Sequence, residues 1–248
     1  MSPPKRPVIP HPPGTFQARL VSREKRFTIH ALDNAGRPFC AHTNNSGSML
    51  GLIRDGMPAL FSPAANPKRK LPYTLEAVQL DGMWVGVNTS TPNRMLAAIM
   101  RSADMRQELD LSGYETFAAE KRSGDSRFDG RLDGPNLPTC WLEAKNVTLV
   151  EEEVAYFPDA ATERGRKHLA ELAALAVAGM RAGILCLVQR SDGACFAPAD
   201  FIDPQFADVF YQAMAAGVEV WPYVARVDET GVVLEHCLPV APQERCEK

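Results

Sequence analysis

In the stretch CWLEAKNVTL, Glu143 and Lys145 stand two residues apart. The surrounding Trp141, Leu142 and Val147 read as a strand, and side chains two apart on a strand leave it on the same face. An acid and a base are therefore aimed at one spot. A bare E-x-K spacing arises about once by chance in a chain this long, so its meaning depends on what else reaches that spot. Asp129 lies upstream in SRFDGRLDG, on a segment placed to pair with the E-x-K strand, and paired strands run about 4.8 Å apart. Asp129 and Glu143 then converge on one cation. Mg²⁺ or Mn²⁺ suits such a site: the ion takes oxygen ligands and keeps several waters, so two carboxylates, a main-chain carbonyl such as that of Ala144, and water suffice. Bound metal lowers the pKa of a water and offsets phosphoryl charge, and Lys145 would orient or help deprotonate that water. This is the chemistry of a metal-dependent phosphodiesterase, with Asp129, Glu143 and Lys145 as its catalytic set. Glu120, in AAEKRSGDSR, is the candidate auxiliary residue. Asp133 is a rival for Asp129, but Phe128 and Leu132 carry the strand past Asp129, with a turn only at Gly134.

Charge is divided along the chain. Residues 1–106 hold 14 Lys and Arg against 6 Asp and Glu, a balance of +8; residues 107–248 hold 13 against 24, a balance of -11. A basic front half suits a polyanion, and an acidic back half offers carboxylates to cations. The candidate backbone-phosphate contacts in the front half are Arg23, Lys25 and Arg26, close to a strand pair, and Lys68, Arg69 and Lys70 in AANPKRKLPY. In the back half, Arg164 and Lys167 lie in the first turns of a helix, where free N–H groups also favour phosphate. HTNNSGSMLG, from His42 to Gly51, is dense in small polar residues and lets a ligand or another backbone come close. The six cysteines form no C-x-x-C pair, so zinc-ligand spacing is absent and a reducing cytoplasm fits. The apolar runs are far short of the ~20 residues a membrane helix needs.

These residues need elements to position them. From Phe16 to Thr89, alternating runs broken by Gly and Pro predict about five short strands and a small OB-type barrel. The first two runs, within FQARLVSREKRFTIHALDNAGRPFCAHT, are divided at Asp33–Gly36. Pro92–Leu109 is predicted as one helix. TERGRKHLAELAALAVAGMRA is a second, capped by Thr162 with Leu169, Leu172, Leu175 and Ala176 as its apolar stripe, and DPQFADVFYQAMAAG is a third. With the strands between and after them, residues 90–248 read as an α/β domain with a mixed sheet. Gln189, at a strand end, is a plausible neighbour of the site. Residues 1–15 are rich in proline and are expected to form a loose tail.

The D…E-x-K pattern and this element order match the PD-(D/E)XK nuclease fold. The chain also resembles the sugar fermentation stimulation protein A family. The resemblance is carried in order by KRF (Lys25–Phe27), HTNNSGSM (His42–Met49), NPKRKL (Asn66–Leu71), VGVNT, SRFD (Ser126–Asp129), LEAKNVTL (Leu142–Leu149) and FPDAATERGRKHL (Phe157–Leu169). It implies an α+β protein: an N-terminal OB-like barrel (16–89) followed by a PD-(D/E)XK-like domain (90–248). It implies DNA binding and an indirect, regulatory link to sugar catabolism. The family often has HCPNTGSM where this chain has HTNNSGSM, and Val where it has Ala144. Two functions remain open: a DNA-binding nuclease, or a DNA-binding regulator that keeps the fold as scaffold. An RNA substrate is a third option, since an OB barrel stacks bases of either kind.

Overall fold

A computed structural model describes residues 5–243. In chain order the elements are β1 (Val8–Pro10), β2 (Phe16–Glu24), β3 (Thr28–Leu32), β4 (Pro38–His42), β5 (Pro58–Pro63), β6 (Tyr73–Leu80), β7 (Met83–Gly86), α1 (Thr91–Arg101), α2 (Ala103–Glu108), β8 (Thr116–Ser123), β9 (Ser126–Asp133) and β10 (Cys140–Val147). There follow β11 (Leu149–Glu151), β12 (Val154–Phe157), α3 (Glu163–Val177), β13 (Arg181–Val188), β14 (Cys195–Pro198), α4 (Pro204–Ala215), β15 (Glu219–Val227) and β16 (Gly231–Cys237).

Strands β2 to β6 form the predicted barrel. Their order is β4-β3-β2-β5-β6, and a parallel pairing of Ala41 with Tyr73 and His42 with Thr74 closes the ring. Alternate residues point inward and fill it: Leu20, Ile29, Ala41, Phe61, Leu75 and Val78, with Met49 and Leu52 from the β4–β5 loop as a plug. The first strand boundary differs from expectation. The run from Phe16 to Leu32 is two strands, because Lys25 and Arg26 both take positive φ (47° and 66°) and reverse the chain. Neither is Gly or Asn, the residues that announce such a turn, so the break was not legible.

β7 leaves the barrel, touches β15 through Trp84 and Val227, and leads into α1. The second unit is a mixed sheet. β8, β9 and β10 are antiparallel; β10, β13 and β15 are parallel; β16 returns antiparallel. α1 packs on one face, where Met95, Leu96 and Ile99 meet Leu142, Ala144 and Leu185. α3 and α4 cover the other, where Leu169, Leu172, Phe206 and Phe210 meet Trp141, Ile184 and Val188. β10 is buried on both sides, so its even-numbered residues Leu142 and Ala144 face α1 and its odd-numbered Trp141 and Glu143 face α3. That parity puts Glu143 and Lys145 under α3.

Two further expectations are corrected. The predicted helix over Pro92–Leu109 breaks at Ser102, whose extended backbone (ψ 117°) ends α1 and whose hydroxyl caps α2 by accepting from Met105 N. The N-terminal stretch is not all loose: Val8–Pro10 pair with Gly231–Val233, and Ile9 is buried in the core. A three-residue strand that follows Pro7 and ends in Pro10 suits an edge position, where a missing N–H breaks no ladder. A small sheet of β11, β12 and β14 was not anticipated from its short, unremarkable segments; Glu152 and Glu153 form the turn between its first two strands.

Candidate active site

The β9–β10 ladder runs Cys140–Leu132, Trp141–Arg131, Leu142–Gly130, and then stops. The next pair in register is Glu143 with Asp129. Here β9 turns over: Leu132 packs on the α1 face, but Phe128 packs on the α3 face. The Asp129 side chain takes up the main-chain donor left free by the lost ladder, accepting from Ala144 N on Oδ2 (2.8 Å), while Oδ1 accepts from Asn93 Nδ2 (2.6 Å). Asn93 sits in the first turn of α1, which therefore positions one of the two acids.

Glu143 is buried, 3% exposed. Its Oε1 is an ion-pair partner of Lys145 Nζ at 2.5 Å and lies 2.6 Å from His168 Nδ1. Its Oε2 is buried with no partner. The two carboxyls differ in charge preference. Burial raises the Asp129 pKa, and the Glu143 charge raises it further, against the hydrogen bond from Ala144 and the Lys145 charge. Burial also works to raise Glu143, but Lys145 and His168 outweigh it and hold that carboxyl below its ordinary value.

α3 brings its own contribution. Thr162 caps it by accepting from Gly165 N (3.0 Å), and a Cβ at position 165 would strike the Thr162 side chain. Asp203 holds the same corner, accepting from Thr162 N at 2.9 Å and from Arg166 Nη1 at 2.7 and 2.8 Å. The helix is thereby set with His168 on Glu143, and Arg164 Nε donates to His168 Nε2 (3.5 Å). The His168 roles are then Nδ1 as donor and Nε2 as acceptor.

Asp129, Glu143 and Lys145 open into a cleft of about 510 Å³ between the two units. The barrel side supplies Arg26 and Asn45–Gly47; the other side supplies Asn146, Asp159, Thr162 and Arg164. The polar loop after His42 is docked here by Asp159, which accepts from Met49 N (3.0 Å) and, through its carbonyl, from Ser48 Oγ (2.6 Å). Gly47 is required because a Cβ would run into the Asp159 carboxylate. A larger cleft of about 920 Å³ opens at the amino ends of β13 and β15, where Arg181 is paired with Glu219 at 2.6 Å and Glu108 with Tyr223 at 2.6 Å. The acidic site instead lies beyond the middle of β10, toward the carboxyl ends of the parallel strands, where α/β sheets gather ligands.

Of the residues singled out from sequence, Asp129, Glu143, Lys145, Arg26 and Arg164 are brought together. Glu120 is not. It is exposed, adopts φ 56°, and pairs with Arg127 on the neighbouring strand. Asp133 is held by Arg131 and Thr139, away from the cleft. Arg23 is spent on main-chain carbonyls, those of Arg26 (2.7 Å), Gly47 (2.9 Å) and Asn45 (2.6 Å), and so braces the loop. Arg69 does the same for Leu71 and Tyr73. Lys25, Lys68 and Lys70 are exposed, while Lys167 lies 3.7 Å from Glu171, outside the cleft. Gln189 is buried and donates to Asn146, a cleft residue, from behind. The role of His168 as the partner of Glu143 was missed, as were Asn93 and Asp159. A signal for His168 existed: the buried stripe of α3 is Gly165, His168, Leu169 and Leu172, and a histidine on such a stripe needs a polar partner.

The oxygen-donor set fits a hard divalent cation. It offers an orphaned, buried carboxylate oxygen beside a second carboxylate. Among the described residues no three His, Cys, Asp or Glu side chains are grouped to hold a metal ion, so protein ligation there would come from Asp129 and Glu143 alone, with water filling the remaining positions.

Residues 21–87 match the SfsA N-terminal OB domain, and residues 90–231 match the sugar fermentation stimulation protein RE domain. The sugar fermentation stimulation protein homolog of Syntrophobacter fumaroxidans is 54% identical over 234 residues, covering 94% of this chain and 87% of that protein. The homolog of Maridesulfovibrio salexigens is 48% identical over 237 residues, covering 95% and 98%. The structure of Pyrococcus furiosus SfsA in complex with Ca²⁺ superposes with a TM-score of 0.85 at 25% identity, covering 95% of this chain and 99% of that one. With both of its domains matched in order and nearly its whole length aligned to these relatives, the chain belongs to the sugar fermentation stimulation protein family.

Proposed function

We propose that this protein is a DNA-binding, divalent-metal-dependent phosphodiesterase whose reaction centre is Asp129, Glu143 and Lys145. The observation that carries the reading is the unpartnered Oε2 of Glu143, buried beside Asp129 at the wall of a cleft that Arg26, Lys145 and Arg164 also line. A buried carboxylate oxygen without a donor costs about 1–3 kcal/mol, a cost that a bound cation removes. Mg²⁺ or Mn²⁺ held there would lower the pKa of a bound water and neutralise charge on the phosphoryl group. The relative from Pyrococcus furiosus is described in complex with Ca²⁺, another cation that takes oxygen ligands. Asp129 and Glu143 would hold the ion, and Glu120 has no part in it.

The rest is done by the chain's own groups. Lys145 stands 2.5 Å from Glu143 with 15% of its side chain exposed, placed to orient a nucleophile or meet a phosphate oxygen. Arg26 and Arg164 reach the phosphates on either side of the scissile one. His168 keeps Glu143 ionised and fixed. Lys25, Lys68 and Lys70 extend the positive surface of the barrel and supply salt-sensitive affinity. The proposed partner is a nucleic acid; no helix among the described residues is long and apolar enough to cross a membrane. The five described cysteines are free thiols, in keeping with a reducing cytoplasm. A role in regulating sugar catabolism follows only from the family name.

One observation favours a second reading, in which the fold binds DNA without cutting it: among the described residues no group of three His, Cys, Asp or Glu side chains is placed to hold an ion. The discriminating experiment is incubation of labelled DNA and RNA, single- and double-stranded, with purified protein and Mn²⁺. The phosphodiesterase reading expects cleavage that Lys145→Ala reduces at least about a hundredfold, the scale of a lost general acid–base group. Intact substrates across the panel would leave the binding reading in its place.

A further inference from the structure

The turn between β2 and β3 presents three residues in succession: Lys25, Arg26 and Phe27. Lys25 and Arg26 both have positive φ, a geometry that favours Asn-Gly. The chain holds it open with Arg23 Nε donating to Arg26 O (2.7 Å), Phe27 N to Lys25 O (2.8 Å) and Thr43 N to Phe27 O (3.0 Å). Glu152 and Glu153 adopt the same geometry far from the cleft, so strain alone says little. Placement says more. Arg26 lines the cleft that contains Glu143 and Asp129. Phe27 is 44% exposed, and its ring lies over His42 at 6.1 Å and 28°, a stacked pair. His42 in turn lines a second cavity of about 600 Å³, with Asn44, Asn88 and Arg94. Burial and the neighbouring Arg69 lower the His42 pKa, which favours the neutral ring. Phe27 thus follows a residue of the acidic cleft in sequence and stacks on a residue of the second cavity, with Lys25 and Arg26 before it and an aromatic support beneath it.

We propose that Lys25–Phe27 is a single-strand clamp: a nucleobase stacks on the Phe27–His42 pair while Arg26 and Lys25 hold the flanking phosphates, so that the strand entering the Glu143 cleft is unpaired. A π-face suits any base, which makes such a platform tolerant of sequence, but an internal base of a duplex keeps both faces occupied. This rests on the reading of the same cleft as a phosphodiester site and narrows its substrate to single strands.

The test is equilibrium binding in EDTA, where no cleavage occurs, of fluorescent oligothymidylate, oligouridylate and a DNA duplex, by anisotropy. The variants are Phe27→Ala and the double change Lys25→Asn/Arg26→Gly. Base stacking of about 1–3 kcal/mol corresponds to at least about a fivefold loss on a single strand, so each variant should lose that much or more; Phe27→Ala should change duplex affinity less than twofold, and the double variant, which also removes two phosphate-binding cations, should lose more on the single strand than on the duplex. The double variant should keep or raise Tm, because Asn-Gly prefers this turn, and should flatten the salt dependence. Loss on DNA, on RNA or on both supports the clamp and identifies the sugar it accepts. Smaller losses on both single strands, or an equal loss on the duplex, overturn it. Because no turnover is involved, a failed clamp leaves the phosphodiesterase reading standing, and an inactive centre leaves the clamp measurable.

Discussion

His168 Nδ1 lies 2.6 Å from Glu143 Oε1, the same oxygen that Lys145 Nζ meets at 2.5 Å, and Glu143 Oε2 is left alone. One oxygen is saturated from two directions and the other is reserved. His168 thus orients an acid without occupying its free oxygen. Groups that orient a metal ligand typically contribute 10–100-fold to metal affinity. His168→Ala should therefore weaken Mn²⁺ binding by about that factor in calorimetry. His168→Asn, which keeps a short N–H donor toward Glu143, should recover much of the loss; a purely structural role would give two equally weak variants.

The docking of the barrel loop makes a steric prediction. Gly47→Ala puts a methyl against the Asp159 carboxylate and should destabilise the fold by about 1–3 kcal/mol in urea unfolding. Shortening the opposing side chain in Gly47→Ala/Asp159→Ala should cost less than the sum of the two single changes, since the clash is shared. Additive costs would place the strain elsewhere.

Asp228 anchors the β15–β16 turn, accepting from Thr230 N (2.8 Å), Thr230 Oγ1 (2.5 Å) and Gly231 N (3.1 Å). Burial alone raises its pKa, but the Thr230 bonds and Arg226 prevail and bring it down to about 2. A depressed carboxyl stabilises the fold above its unfolded pKa of about 4 and loses that contribution as pH falls through its folded value. About a third of its side chain is exposed, so after screening its contribution should be about 1 kcal/mol. The stability difference between wild type and Asp228→Ala should accordingly shrink between about pH 4 and the folded value of about 2. A difference that persists unchanged to the acid end would refute the assignment.

Thiol chemistry offers a separate check on the sheet. Cys140 and Cys186 face the cores on opposite sides of the strands, and burial pushes both up to about 12. In the folded protein at mild alkaline pH, iodoacetamide should label exposed Cys237 and spare these two; urea should release them. Early labelling of Cys186 by mass spectrometry would mean that β13 is not where the fold puts it.

Legibility from sequence followed the range of the interaction. The barrel, the mixed sheet and the Glu143–Lys145 face were readable because alternation and spacing are local. Asp129 was readable because one hairpin brings it to its partner. The parts played by His168 and Asn93 were not identified, because they join the site through α3 and α1; the buried stripe of α3 marks the face of His168, but nothing near either residue in sequence names Glu143 or Asp129 as its partner. The Lys25–Arg26 turn was hidden for a different reason. Ordinary residues occupy positive-φ positions there, held by Arg23 and Thr43 from elsewhere in the barrel. The same Arg23 looked like a phosphate contact in sequence, because a charge count cannot tell a bracing guanidinium from a free one.

The pairing of Asp129 with Glu143 on a divalent cation is the claim on which the rest depends. Anomalous diffraction from a Mn²⁺-soaked crystal tests it most directly. The account predicts a peak bridging the Glu143 Oε2 and Asp129 carboxylate positions, abolished in Glu143→Gln. A map without density there, or a peak that survives that substitution, would contradict it.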